Sequence, residues 1–277
     1  MADVNFEFGR TSASEEFFKR YPEFNDALER LVGLGNNCFG REYQPGNRAE
    51  DICFRLGHTC REDFGQVVFL AVHGYATGAS KLLRGLYERT LALEYIARNP
   101  DKAERFVRFA AIQEHAALEG ALKSGATEEQ FDEVMAPHNS VAEIRSRYKD
   151  IKPEFQVTDC KTCKTTRRAG SWDVDIATMA SSLGGTYQNL YLGSYAIPNL
   201  HVHATLASVM QDHPDETTLA EQRRQEIRFT MVNACTLFTL VAETQSNLFG
   251  LNLTDDIEAC RNDIPAIWIP LDEQTAP

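Results

Sequence analysis

The stretch from Phe64 to Arg98, FGQVVFLAVHGYATGASKLLRGLYERTLALEYIAR, constrains this chain more than any other. Val68, Val72, Tyr75, Ala79, Leu82, Leu83, Leu86, Thr90 and Leu93 recur at helical spacing on one face. Ala71, Gly74, Gly78, Gly85 and Ala92 form a second side, small enough for another helix to approach closely. A third side carries Phe69, His73, Tyr87, Leu91 and Tyr95. A helix that is apolar or small nearly all round is enclosed by its neighbours. The spacing therefore predicts a long central helix over about 64–98, bent at Gly74, within an all-α multi-helix bundle. Arg84 and Glu88 interrupt that surface. They stand at i and i+4, where they can pair directly. If buried they must pair, because an isolated buried charge costs many kcal/mol.

The rest of the chain reads as helices arranged around this one. Residues 1–46 form an N-terminal lead with short helices over 14–20 and 22–34. The bundle is expected over 47–250, and a short helix with an extended tail over 251–277. A helix over 47–61 leads into the central one, and Asn99-Pro100-Asp101 separates that from a helix over 101–123. Thr127-x-x-Gln130 is a capping box for the next helix, which restarts near Pro137 and continues over 141–149. Residues 150–171, DIKPEFQVTDCKTCKTTRRAGS, are polar, basic and poor in large apolar side chains, which predicts a surface loop. Asp173 is placed to cap a helix over 174–183; another follows over 186–196, broken at Pro198. The last long helix is expected over 219–249, closed by Gly250. Sustained period-two alternation is missing, so no sheet is expected.

Charge and cysteine usage narrow the setting. A net charge of −12 opposes general attraction to nucleic acid or anionic membrane. Seven cysteines, odd in number and scattered, fit a reducing cytoplasm rather than a disulfide framework. The opening MADVNFEFGRTS carries no apolar leader. The most apolar late run, 229–242, is short and holds Asn233 and three threonines, so it reads as a buried helix. The expectation is a cytoplasmic protein with no membrane partner.

Several residue sets bear on chemistry. Cys160-x-x-Cys163 supplies two thiolates where a structural zinc site needs about four ligands, so no metal is expected there. His201-x-His203 places two imidazoles about 200° apart on a helix. The paired ExxH of di-iron bundles is missing, so no metal or other cofactor is expected. Lys161, Lys164, Arg167 and Arg168 form a basic stretch without interleaved aromatics for stacking bases. Arg108 and His115, in RFAAIQEH, stand two turns apart on one helix. This pair resembles the Arg/His signature of HEPN-type ribonucleases, whose fold is also a helical bundle. The resemblance implies metal-independent RNA cleavage, with His as acid or base and Arg stabilising the charged phosphorane.

A second constellation is spread along the chain: Leu82-Leu83-Arg84 with Glu88, Trp172 ahead of IATMASSLG, then Tyr187, Tyr191, Ser194 and His201-x-His203. Taken together, and with RFVRFAAIQEHAAL, it resembles a bacterial all-helical family of unknown function, DUF5677, over roughly residues 50–210. The resemblance implies an all-helical fold and no agreed activity. Pro198-Asn199 widens the gap between Ser194 and the histidines, leaving open which histidine is equivalent. The residues themselves suggest a polar cluster of Arg84, Glu88, Tyr191, Ser194 and His201 or His203, since phenol, hydroxyl and imidazole can satisfy an ion pair. They are equally the groups of an acid–base or phosphate site, which makes this cluster the first catalytic candidate and Arg108 with His115 the second. Three functions follow. The first is a HEPN-like ribonuclease in stress or phage defence, acting on RNA as a homodimer with its groove at the interface. The second is a binding module for a small anionic ligand at Arg84. The third is an oligomeric structural or partner protein with a buried Arg-Glu-Tyr-His network.

Overall fold

The structure, a computed structural model, describes residues 11–135, 139–158, 166–203 and 216–268. In chain order the helices are α1 (Thr11–Arg20), α2 (Glu23–Phe39), α3 (Arg48–Val72), α4 (Ala76–Arg98), α5 (Ala103–Lys123), α6 (Glu128–Met135) and α7 (Val141–Ile151). After two short strands come α8 (Ile176–Leu183), α9 (Gly185–Asn189), a π-helical turn (Leu192–Ala196), α10 (Ile197–Val202), α11 (Glu216–Phe249) and α12 (Thr254–Trp268). The fold is an all-α multi-helix bundle. The chain forms two compact units, Met1–Arg98 with Ile176–Pro277, and Asn99–Asp175.

In the first unit, the single helix expected over 64–98 is two. α3 runs without interruption through 61–64 and stops at Val72; α4 starts at Ala76. Gly74 sits at φ +81°, the left-handed region that favours glycine. The Gly74 amide donates to Ala71 O at 3.0 Å and the Tyr75 amide to Leu70 O at 2.9 Å. This is the Schellman pattern, which ends a helix rather than bending it. The two helices then pack antiparallel. Cys53 Sγ meets Leu93 O at 3.6 Å, Cys60 Sγ meets Thr90 Oγ1 at 4.0 Å, and Arg89 donates to Asp63 at 2.6 Å. Ascending numbers on α3 meet descending numbers on α4. Phe69, near the end of α3, is left exposed rather than enclosed.

α11 packs against both. Phe64 and Phe238 stack at 4.6 Å, Thr244 Oγ1 donates to Glu94 at 2.5 Å, and Gln245 Nε2 donates to Cys53 O at 2.9 Å. α11 therefore runs antiparallel to α3 and parallel to α4, and most of its residues from Thr230 to Ser246 are buried. Gly250, at φ +61°, closes it as expected. Pro198 does not break its segment. It lies in the first turn of α10, where a missing N–H costs nothing.

In the second unit, α5 and α7 pack around Leu118, Val141 and Ile144, with Leu122 and Phe131 against them. The Thr127/Gln130 capping box is present, and Ser140 with Glu143 forms another that starts α7. The stretch expected to be a surface loop carries an antiparallel ribbon, β1 (Gln156–Thr158) with β2 (Thr166–Arg168), pairing Val157 with Arg167. Among the described residues these are the only strands. Asp173 receives Lys102 Nζ at 3.2 Å rather than opening α8, which begins at Ile176.

Candidate functional site

Arg84 and Glu88 pair as their spacing predicts. Glu88 Oε1 accepts from Arg84 Nε at 2.7 Å, with the side chains 23% and 35% exposed. The pair is half-buried, not sealed in the core. Its aromatic neighbour is Tyr195, whose ring centre lies 5.2 Å from the guanidinium carbon, rather than the expected Tyr191 or Ser194. Tyr191 joins at one remove, 5.4 Å from Tyr195 and 6.5 Å from Tyr87. Tyr87 is fully buried and donates to Tyr187 O at 2.7 Å, tying α4 to α9. Burial, and then the Glu88 carboxylate, push the Tyr195 phenol up from its ordinary pKa. It stays protonated at neutral pH.

The π turn explains why Tyr195 rather than its neighbours meets Arg84. The Ile197 amide donates to Leu192 O, one residue beyond the α pattern, and the extra residue re-aims the side chains of the turn. Ser194 faces inward. It is 0% exposed and its hydroxyl has no hydrogen-bond partner among the described residues. The histidines do not join the cluster. His201 acts electrostatically on Glu226 of α11, and His203 is exposed. Among the described residues no bond links either to Arg84 or Glu88. The structure thus brings together Arg84, Glu88 and Tyr191, adds Tyr87 and Tyr195, and leaves Ser194, His201 and His203 to other surroundings.

The second set lies on α5. Arg108 and His115, seven residues apart, fall on one face about 10 Å apart along the axis. Arg108 is held by the Glu154 carboxylate, with Nε 3.0 Å from Oε2 and a second bond to Oε1. Both side chains are about two-fifths exposed. Arg105 fixes the Glu154 backbone, donating to its carbonyl while its Nε donates to Trp172 O at 2.6 Å. Trp172 packs edge-on to Phe106 at 5.1 Å.

His115 lies flat against Tyr148, ring centres 3.6 Å apart and planes 9° from parallel. Burial lowers its pKa from the ordinary 6.5, and Arg168, Arg145 and Lys152 act in the same direction; Glu119, 3.7 Å from Nδ1, opposes them. The imidazole is neutral at pH 7. The nearby acids are engaged: Glu114 accepts from Arg147 at 2.6 Å and from Asn139 at 3.3 Å, and Glu119 from Arg168 at 3.4 Å. A cleft of about 260 Å³ alongside is lined by Ile112, Tyr148, Lys152, Phe155, Arg167 and Arg168. Sequence reasoning missed Tyr148, Lys152 and Glu154. The ribbon that folds Arg167 and Arg168 back towards α5 had no signal in periodicity.

Among the described residues no group of three His, Cys, Asp or Glu side chains is placed to hold a metal. Cys160 and Cys163 lie outside the described residues. The remaining five cysteines are buried, and burial pushes the thiols of Cys38, Cys53, Cys60 and Cys235 up to about 12. None of these five is set up as a nucleophile. Among the described residues no helix is long and apolar enough to cross a membrane.

No curated protein and no solved structure matches the chain. One family does, over a span that includes the Arg84–Glu88 pair, the Arg108–His115 face, Trp172 and the π turn. Its profile matches residues 50–218, and this chain belongs to that family of unknown function, DUF5677.

Proposed function

We propose that this protein is a HEPN-like, metal-independent ribonuclease whose working pair is Arg108 and His115. The observation that carries the reading is His115 itself: an imidazole kept neutral and stacked on Tyr148, which in turn lines a cleft with Lys152, Arg167 and Arg168. A neutral imidazole can accept a proton at pH 7. The cations supply phosphate contacts that the overall charge of −12 does not.

In this mechanism an RNA phosphate displaces Glu154 from Arg108. The exchange is inexpensive, because an exposed ion pair contributes about 1 kcal/mol or less. His115 takes the proton of the 2′-hydroxyl, and the 2′-oxygen attacks phosphorus. The P–O5′ bond breaks, the 5′-oxygen takes its proton from water, and a 2′,3′-cyclic phosphate remains; His115 then returns its proton to solvent. Arg108 stabilises the charge on the phosphorane. Neither group needs a metal for its part. A role in bacterial stress or phage defence fits such an activity, with two copies facing each other across a two-fold axis.

The Arg84 cluster supports a second reading. Its ion pair is closed, its tyrosines bridge α4 to the π turn, and no histidine joins it among the described residues. We assign it to fixing the register of these helices, with a small anionic ligand at Arg84 as the alternative. The test is cleavage of single-stranded RNA in EDTA. Cyclic-phosphate products, lost by a factor of about 10² or more in Arg108→Ala, are expected. Arg84→Ala should act only through stability. Folded protein that leaves RNA intact, or an Arg84→Ala loss equal to that of Arg108→Ala with stability unchanged, would sink the reading.

A further inference from the structure

The cleft that Tyr148 lines lies entirely within the second unit. Lys152 comes from the helical turn that follows α7, Gln156 from β1, and Arg167 and Arg168 from β2. Gln156 and Arg168 are paired across the ribbon, so their side chains leave it on one face. That face looks onto α5, because Arg168 reaches Glu119 at 3.4 Å. The Ala169 amide donates to Phe155 O at 2.7 Å and carries the ribbon up to an apolar floor, where Ile112 and Phe155 are buried.

Two of the lining side chains have nothing to hold. Lys152 and Gln156 are exposed, and among the described residues neither the ammonium nor the carboxamide has a hydrogen-bond or ion-pair partner. The acids nearby are engaged elsewhere, Glu119 by Arg168 and Glu154 by Arg108. The lining itself holds three cations and no acid. It offers no bare aromatic face. Lys152 Nζ stands over Tyr148, 5.7 Å from the ring centre, and His115 stacks on the same ring. The Arg105 guanidinium covers Phe155 at 4.5 Å. A base entering the cleft finds no free ring to stack on. An anion finds an unpaired ammonium and an unpaired amide donor.

We propose that this cleft is a second phosphate subsite, which takes the phosphate one nucleotide away from the bond being cut. The inference rests on the ribonuclease reading and names the substrate class of that site. Tyr148 ties the two positions together, with the imidazole 3.6 Å and the Lys152 ammonium 5.7 Å from its ring centre, a separation that one nucleotide spans. The scissile phosphate lies at Arg108 and His115, and its neighbour on Lys152 and Gln156. At about 260 Å³ the cleft is below the range of drug-sized pockets, which suits a phosphate and its sugar with the base left outside. The substrate is a strand with at least two phosphates, gripped here by its backbone rather than by base sequence.

The probes are three ribodinucleotides with one internal phosphodiester: one plain, one with an added 5′-phosphate and one with an added 3′-phosphate. The phosphorylated form whose extra group reaches the cleft should exceed the plain form about tenfold in kcat/KM at low salt. Lys152→Ala should bring that ratio to about one, and Lys152→Arg should keep most of it. Gln156→Glu, which puts a carboxylate into the cleft, should drop it below one. Each ratio is taken within one variant, so a general loss of activity or stability cancels. Exchanging the bases should leave the ratio unchanged. The subsite is overturned, with the ribonuclease reading left standing, if neither phosphorylated form is favoured, if the ratio survives Lys152→Ala, or if only longer strands are cut. A folded protein that cleaves no RNA sinks the ribonuclease reading, and binding then decides the subsite. Inorganic pyrophosphate titrated into the full chain should give saturable amide shifts at Lys152, Gln156 and Arg168, with affinity about tenfold weaker in Lys152→Ala. No such shifts, or equal affinity in that variant, would overturn it.

Discussion

His115 and Tyr148 stack face to face across α5 and α7, ring centres 3.6 Å apart. Tyr148 covers one face of the imidazole and removes water from it, which disfavours the charged form. The folded pKa is therefore below the unfolded 6.5. Between those two values the unfolded chain binds more protons, so stability falls as pH drops through that window. Above 6.5 the contribution is fully present. A histidine-resolved NMR titration should place His115 below 6.5, and Tyr148→Ala should move it back up. A His115 midpoint at or above 6.5 in the native protein would remove the argument for a neutral base.

Glu154 competes with RNA for Arg108 on the proposed mechanism. Glu154→Gln keeps the size and one of the two acceptor oxygens but removes the charge. Both partners are exposed, so global stability should change by less than about 1 kcal/mol. The KM for a short single-stranded RNA should fall about two- to fivefold at low salt, with the difference shrinking as salt rises. An unchanged KM would mean that phosphate does not enter where Glu154 now sits.

Glu88→Ala tests how the Arg84 cluster is built. A sealed ion pair would lose about 3–5 kcal/mol when one partner is removed. Here the side chains are 23% and 35% exposed, and Arg84 keeps both water and the face of Tyr195. Chemical denaturation should therefore show a loss of about 1 kcal/mol or less. A loss above about 3 kcal/mol would mean that the pair is shielded in the assembled protein.

Thiol labelling should find the five described cysteines protected in the folded protein. Cys38, Cys53, Cys60, Cys235 and Cys260 are buried, with thiol pKa values raised to about 11 or 12. In a variant with Cys160 and Cys163 both changed to Ser, no thiol should react quickly at pH 8. Five should appear together on unfolding. A fast-reacting thiol in that variant would place one of these cysteines at the surface.

Much of the architecture was legible in the sequence because it rests on local rules. Helical spacing, the Thr127/Gln130 box, Gly250 and the Arg84–Glu88 pair each depend on residues within a turn or two. The misjudged points depend on distant partners. Gly74 reads as a bend within one helix until the Leu70 carbonyl is seen to accept from Tyr75. Tyr195 meets Arg84 only because a π turn shifts it by one residue, and no periodicity signals an extra residue. Glu154 and Tyr148 reach α5 from more than thirty residues away in sequence. The strands around 156–168 are too short to show alternation.

Two glycines on α3 give the last test, because the same substitution should act in opposite directions. A Cβ at Gly57 would lie 2.6 Å from Gln245 Nε2 and 2.9 Å from the Phe39 ring. Gln245 is fully buried and donates to Cys53 O at 2.9 Å, one turn before Gly57. The missing side chain at 57 is what lets α11 lay that amide over α3. A Cβ at Gly65 meets nothing within 4 Å, and the position is exposed. Alanine favours a helix interior over glycine by about 1 kcal/mol. Gly65→Ala should therefore stabilise by up to about 1 kcal/mol. Gly57→Ala carries the same gain, but it displaces the Gln245 amide and overpacks the core, which costs about 1–3 kcal/mol and more if the amide is stranded. A net loss of about 1–2 kcal/mol in urea unfolding is expected. Equal effects at the two positions would mean that α11 does not approach α3 this closely. Adding Gln245→Ala to Gly57→Ala should then recover little, whereas with the packing described here it should relieve part of the clash.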